Sequence, residues 1–219
     1  MASTGRILVI NPNSNQDVTD GLSQALEPLR VAGGPAIECV TLTEGPIGVE
    51  TQEHVEQVTL PLRRLVERSD NADAFVIACY SDPGLHVCRE ATHKPVFGIQ
   101  ESGILAALAR ADRFGVVALG QKSIARHLRY IRQMGVEARL AGERPLGLSV
   151  AESEHASSFP RILEVAKALR DQDGADVLIL GCAGMAGHRP RLEAELKIPV
   201  IDPTQAATAQ ALGAVLLRA

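Results

Sequence analysis

Ala72-Asp73-Ala74-Phe75-Val76-Ile77-Ala78-Cys79 decides the fold, because the chain repeats it as Ala175-Asp176-Val177-Leu178-Ile179-Leu180-Gly181-Cys182. The two cysteines are 103 residues apart. Downstream, Lys94-Pro95-Val96-Phe97-Gly98-Ile99 matches Ile198-Pro199-Val200-Ile201-Asp202, with prolines 104 apart. Upstream, Arg6–Ile10 matches Arg113–Leu119 at a similar offset. Any two strand–helix units look alike in their apolar runs. That likeness does not account for Ala-Asp, an apolar run and Cys occurring twice in step with two other landmarks. The chain reads as a duplication.

Working outward from the repeat, short apolar runs alternate with longer helical patterns. Strands are predicted at Arg6–Ile10, Ala36–Leu42, Ala74–Ala78, Pro95–Ile99, Arg113–Leu119, Val136–Leu140, Val177–Leu180 and Pro199–Ile201. Helices are predicted at Val18–Leu29, Thr51–Ser69, Pro83–Ala91, Glu101–Ala111, Ser123–Met134, Ser158–Gln172, Pro190–Leu196 and Gln205–Leu217. Strands apolar throughout belong to parallel sheets covered on both faces. The expected class is α/β, with two similar doubly wound parallel-sheet domains related by a pseudo-two-fold axis. Residues 1–100 plus 203–219 are expected to form the first domain and 101–202 the second, with the last helix returning to the first.

At 219 residues the chain has room for two such domains, and it buries enough surface to be stable without staples. A net charge of -4 and no cluster of Lys and Arg argue against nucleic acid or an anionic membrane as partner. Four Phe, two Tyr and no Trp leave no base-stacking platform. Met1–Arg6 lacks a leader pattern, and no apolar run approaches the 18 or more residues of a membrane span. A cytoplasmic protein with reduced thiols is expected, acting on a small molecule and assembling as a homo-oligomer.

In open parallel sheets, ligands bind outside the carboxyl ends of the strands. Cys79 and Cys182 each stand at such an end. Two domains facing across a cleft bring the thiols to opposite sides of one ligand. That suits inversion at carbon, with a base on one face and an acid on the other. Backbone N–H groups at the following turns are available to a thiolate. A single such cysteine reads more simply as buried filler; the repeated position argues for chemistry. No Cys-x-x-Cys and no His at zinc spacing supports a metal, so none is expected. Cys39 and Cys88 have no counterparts and read as filler. Gly181-Cys182-Ala183-Gly184-Met185-Ala186-Gly187 lacks the spacing of a phosphate loop. His54, His127 and His155 read as solvated, as does the stretch Arg126–Arg132.

These motifs resemble the Asp/Glu/hydantoin racemase superfamily, and within it the hydantoin and allantoin racemases. Val9-Ile10-Asn11-Pro12-Asn13-Ser14 resembles the opening strand and loop of that group. Ala78-Cys79-Tyr80-Ser81-Asp82-Pro83-Gly84-Leu85 resembles its first cysteine motif, usually Cys-Phe-Gly-Asp-Pro-Gly-Leu. Leu180-Gly181-Cys182-Ala183-Gly184-Met185 followed by Pro199-Val200-Ile201-Asp202 resembles its second. The resemblance implies a cofactor-independent racemase or epimerase with Cys79 and Cys182 as its acid/base pair. It implies substrate contacts from Asn11, Ser81, Asp82, Gly120, Gln121, Ala183 and Gly184. Tyr80-Ser81 departs from Phe-Gly, and Gly120-Gln121-Lys122 stands where relatives often place Thr. Members acting on free glutamate or aspartate tend to carry Asn-Thr and Thr-His after the two cysteines, which is absent here. A neutral cyclic or ureido substrate is therefore favoured. The alternatives are a related amino-acid racemase, a maleate isomerase-like cis–trans isomerase using one cysteine as nucleophile, and a non-catalytic binding relative.

Overall fold

The structure is a computed structural model that describes residues 5–218. The first half comprises β1 (Arg6–Asn11), α1 (Gln16–Ala25), β2 (Ala36–Thr41), α2 (Gln52–Arg68), β3 (Ala74–Ile77), α3 (Leu85–Glu90) and β4 (Val96–Gly98). The second comprises α4 (Ile99–Leu108), β5 (Phe114–Ala118), α5 (Gln121–Gln133), β6 (Leu140–Pro145), α6 (Val150–Glu154), α7 (Phe159–Asp171), β7 (Val177–Gly181), α8 (Arg189–Leu196) and β8 (Val200–Ile201), and α9 (Pro203–Leu216) closes the chain.

Every strand pairing is parallel, and the two sheets have the same order, β2-β1-β3-β4 and β6-β5-β7-β8. The registers repeat as well. Ile7 pairs with Ala74 in the first sheet, and Phe114 with Val177 in the second. All residues of β3, β5 and β7 are buried, as strands covered on both faces must be. The chain is thus an α/β fold of two similar four-stranded parallel sheets.

The cover on the inner faces is shared. α4 and α9 are largely apolar and pack side by side. α4 also contacts β7 and β8, while α9 contacts β1, β3 and β4. Contact is close at Gly103 of α4, where a Cβ would lie 2.9 Å from Cβ of Pro203 and 3.3 Å from Cγ2 of Ile179. One hydrophobic core accordingly runs from Ile7 and Val76 through Ile104 and Ala211 to Val116 and Leu178. A second lies on the outer face of the first sheet, between Leu8, Phe75, Ile77, Leu62 and Leu85.

The sixth strand differs from expectation. Val136–Leu140 was expected to be extended, but Glu137–Arg139 forms a 3-10 turn and the strand is Leu140–Pro145. It is an edge strand and all its residues are half-buried, so it accepts Glu143, Arg144 and Pro145 and shows no apolar run. α6 was not anticipated, although Ser149 and Glu152 form a complete capping box at its start. Among the described residues no helix is long and apolar enough to cross a membrane.

The shared layer gives a paired prediction. Ala normally stabilises a helix over Gly by about 1 kcal/mol. Gly213→Ala in α9, where a Cβ meets nothing within 4 Å, should gain up to that amount. Gly103→Ala should instead cost about 1–3 kcal/mol through overpacking against Pro203. Urea melts of the two variants should shift in opposite directions; a shared sign would contradict this packing.

Candidate active site

The first cysteine follows the last residues of β3 into a loop, Cys79–Gly84, closed by the N–H of Asp82 on the carbonyl of Cys79. Asp82 is held at φ +42°, in the left-handed region that Asp enters more readily than most residues. Its carboxylate fixes it there. Oδ1 accepts from the N–H of Gln100 and Oδ2 from the N–H of Glu101, both at 2.9 Å, so Asp82 caps α4 from 18 residues away. The residue at the cap position itself is Gly98, whose missing Cβ would lie 2.3 Å from Cγ of Asp82. In the second half the equivalent position, 104 residues on, is Asp202, which caps α9 locally through the N–H groups of Thr204 and Gln205. Burial pushes the Asp82 carboxyl up to about 7, against the pull of the two N–H donors.

Cys182 directly follows β7 and precedes a 3-10 segment, Ala183–His188. The Ser153 hydroxyl of α6 lies 3.9 Å from its Sγ. Cys79 and Cys182 line the same cleft, of about 250 Å³. Burial raises both thiols, Cys79 to about 11 and Cys182 to about 12. The N–H groups of Ser81 and of Gly184 oppose the rise at their respective thiols, and the Arg126 guanidinium does so at Cys79. The turn N–H groups are therefore in place, but desolvation outweighs them.

Of the residues singled out in the sequence, Cys79, Ser81, Gly120, Gln121, Cys182, Ala183 and Gly184 meet in this cleft. Asn11 and Asp82 do not line it. Asp82 is committed to α4 as described. The amide nitrogen of Asn11 is 3.0 Å from each of Asn13 Oδ1, the Asn15 carbonyl and Thr19 Oγ1, and its own Oδ1 accepts from the N–H of Asn13. Asn11 thus shapes the loop, and Asn13 reaches the cleft in its place.

Several lining residues gave no sequence signal. Val18, Val49, Leu148 and Val150 form an apolar wall, with Glu50 and Thr51 beside it. Arg126 and His127, expected to be solvated, both line the cleft. Arg126 Nε reaches Ser81 Oγ at 3.4 Å, across from one half to the other. His127 is only 1% exposed, and its Nδ1 is 2.5 Å from Glu143 Oε1. The charge run hid this, because five charged or polar neighbours on α5 do face solvent while every fourth residue turns inward. Among the described residues no group of three His, Cys, Asp or Glu side chains is placed to hold a metal ion.

The sequence profile of the Asp/Glu/Hydantoin racemase family matches residues 7–211. The chain belongs to this family. It is 38% identical over 209 residues to the hydantoin racemase of Paenarthrobacter aurescens, covering 92% of this chain and 87% of that one. The allantoin racemase from Klebsiella pneumoniae superposes with a TM-score of 0.92 at 27% identity, over 98% of this chain and 89% of that one. The allantoin racemase of Pseudomonas fluorescens gives 0.89 at 26% identity, over 97% and 92%. Membership of the family makes the chain an isomerase of the racemase type.

In this racemase Asp82 ties the loop carrying Cys79 to α4. Asp82→Ala should cost about 1–2 kcal/mol, the value of a lost cap. Adding Gly98→Asp in the same chain copies the arrangement at Asp202 and should restore most of the stability, since Gly98 already has the extended geometry of a cap residue. A thermal melt of the single variant indistinguishable from wild type would refute the tie.

Proposed function

We propose that this family member is a cofactor-independent racemase of a 5-substituted hydantoin or of allantoin, with Cys79 and Cys182 as its acid/base pair. The observation that carries the reading is the pair of thiols at equivalent strand ends opening into one cleft. The names of the similar racemases support the substrate class.

The chemistry follows from the substrate. The ring carbon bearing the substituent lies next to a carbonyl, so the anion left by proton removal is delocalised as an enolate. One cysteine, as thiolate, takes the proton from one face. The other, as thiol, returns a proton to the opposite face. In the reverse direction the roles exchange, so the pair needs one proton between the two sulfurs. N–H donors at the loops beside Ser81 and Gly184 and the cation of Arg126 are suited to stabilise the enolate oxygen. The apolar wall of Val18, Val49, Leu148 and Val150 offers space for the ring substituent.

Incubation of one enantiomer in deuterium oxide, without added cofactor and after dialysis against chelator, should give loss of optical rotation with deuterium at the stereocentre. Cys79→Ser and Cys182→Ser should each lower racemisation by a factor on the order of 10³ or more, in keeping with loss of a positioned acid or base. Each should retain exchange from one enantiomer only, the two variants preferring opposite hands. Absence of exchange across a panel of hydantoins and allantoin, or a covalent adduct on Cys79 without exchange, would overturn the reading.

The pH dependence has a definite sign. A thiol raised to about 11 is almost wholly protonated at neutral pH, so its reactive thiolate grows about tenfold per pH unit below that value. Iodoacetamide alkylation of Cys79, followed by mass spectrometry, should therefore accelerate about tenfold per unit from pH 7 to 9 without levelling off. A plateau near pH 8 would mean a lowered thiol, and levelling off toward pH 9 an ordinary one.

A further inference from the structure

The repeat shows where the two halves differ for reasons other than folding. His127 is the seventh residue of α5, and the seventh residue of α1 is Leu22, buried in the core. Glu143 pairs in register with Val116 of β5, and the equivalent residue of β1, Val9, pairs with Cys39. The fold is thus satisfied at these two positions by Leu and Cys in one half and by His and Glu in the other. Both side chains of the polar pair are 2% exposed. Burying such a pair is costly in desolvation, and apolar replacements of similar size are often neutral or stabilising. Glu143 Oε2 has no partner among the described residues, which adds to the cost.

The position of the pair points to the cleft. The His127 ring stands edge-on to Tyr80 at 4.9 Å, the residue after Cys79, and His127 lines the cleft. Its Nδ1 takes the only hydrogen bond of the ring among the described residues. With Glu143 as a carboxylate, which can only accept, and a neutral imidazole, the proton sits on Nδ1 and Nε2 keeps its lone pair. The neighbouring side chains Lys122 and Arg126 can only donate. A cyclic ureide alternates C=O acceptors with N–H donors around its ring, so a complementary site needs acceptors as well, and His127 Nε2 joins Asn13, Gln121 and Glu50 among those that line the cleft.

We propose that His127, oriented by Glu143, is a specificity-determining residue whose Nε2 accepts a hydrogen bond from a ring N–H of the substrate. Glu143 is then a positioning residue that fixes the tautomer. This rests on the cyclic-ureide reading of the same cleft.

Enantiopure 5-isopropylhydantoin and its N1-methyl and N3-methyl derivatives test it, by kcat/KM and by calorimetric Kd, against the wild type and His127→Leu/Glu143→Cys. The double variant imitates the apolar filling of the first half, so its melting temperature should equal or exceed that of the wild type. Methylation of one ring nitrogen should cost the wild type 10- to 100-fold and the double variant less than about threefold, the pattern of a site built to bond a specific N–H. Should the double variant not fold, His127→Asn carries the same comparison, since its amide nitrogen replaces Nδ1 toward Glu143 and nothing replaces Nε2. Equal methylation penalties in wild type and variant, at both nitrogens, overturn the proposal. If the wild type discriminates in binding but exchanges no proton, the racemase reading fails while the contact stands.

Discussion

The constraint on which the structure depends is that β3 and β7 are buried on both faces. A four-stranded parallel sheet leaves two apolar faces to cover, and a half of about a hundred residues has few helices with which to do it. The chain answers by placing α4 and α9 side by side, α4 against β7 and β8 and α9 against β1, β3 and β4. The halves thereby share a core and cannot be pulled apart without exposing it. The same layer fixes the carboxyl ends of β3 and β7 toward one cleft. The placement of Cys79 and Cys182 is a by-product of burying the sheets.

Against that symmetric frame, the departures from symmetry are informative. Where the second half uses Asp202 as a local cap, the first uses Gly98 and borrows the carboxylate of Asp82. A local cap stabilises its own helix only; a borrowed one also fixes the loop after Cys79. Where the first half fills its core with Leu22 and Cys39, the second buries His127 and Glu143 beside the cleft. Both exchanges meet the loop that follows Cys79, Asp82 from within it and His127 through its contact with Tyr80.

Much of this was legible in the chain. The repeated Ala-Asp-(apolar)-Cys points to the two-sheet α/β class, and the family resemblance points to Ala183 and Gly184, which line the cleft. Asn11 and Asp82 show the limit. A polar residue in a loop motif has two uses, to face the ligand or to hold the loop, and only the strand ends and the start of α4 decide between them. Leu140–Pro145 escaped because an edge strand needs no apolar run. His127 escaped because the inward stripe of α5 is Ser123, His127 and Ile131, whose first two members are polar and give no apolar signal. Val49 and Val150 reach the cleft from loops and a short helix outside the repeat, where no pattern ties them to a site.

The burial of both thiols fits the energetics of the proposed reaction. A racemisation joins two states of equal free energy, so neither direction can be driven by a stronger base on one side. The enolate must be reached from either face, and two sulfurs in like environments give each face an acid and a base of similar strength. Burial raises both, to about 11 and about 12, through the same dominant cause. A scarcer thiolate is the cost, since only a small fraction is ionised at neutral pH. The return is a stronger base toward the weakly acidic ring carbon, set against the scarcity of that base at a working pH well below its pKa. Desolvating both cysteines together leaves the pair balanced, which a single activated cysteine facing an ordinary one would not.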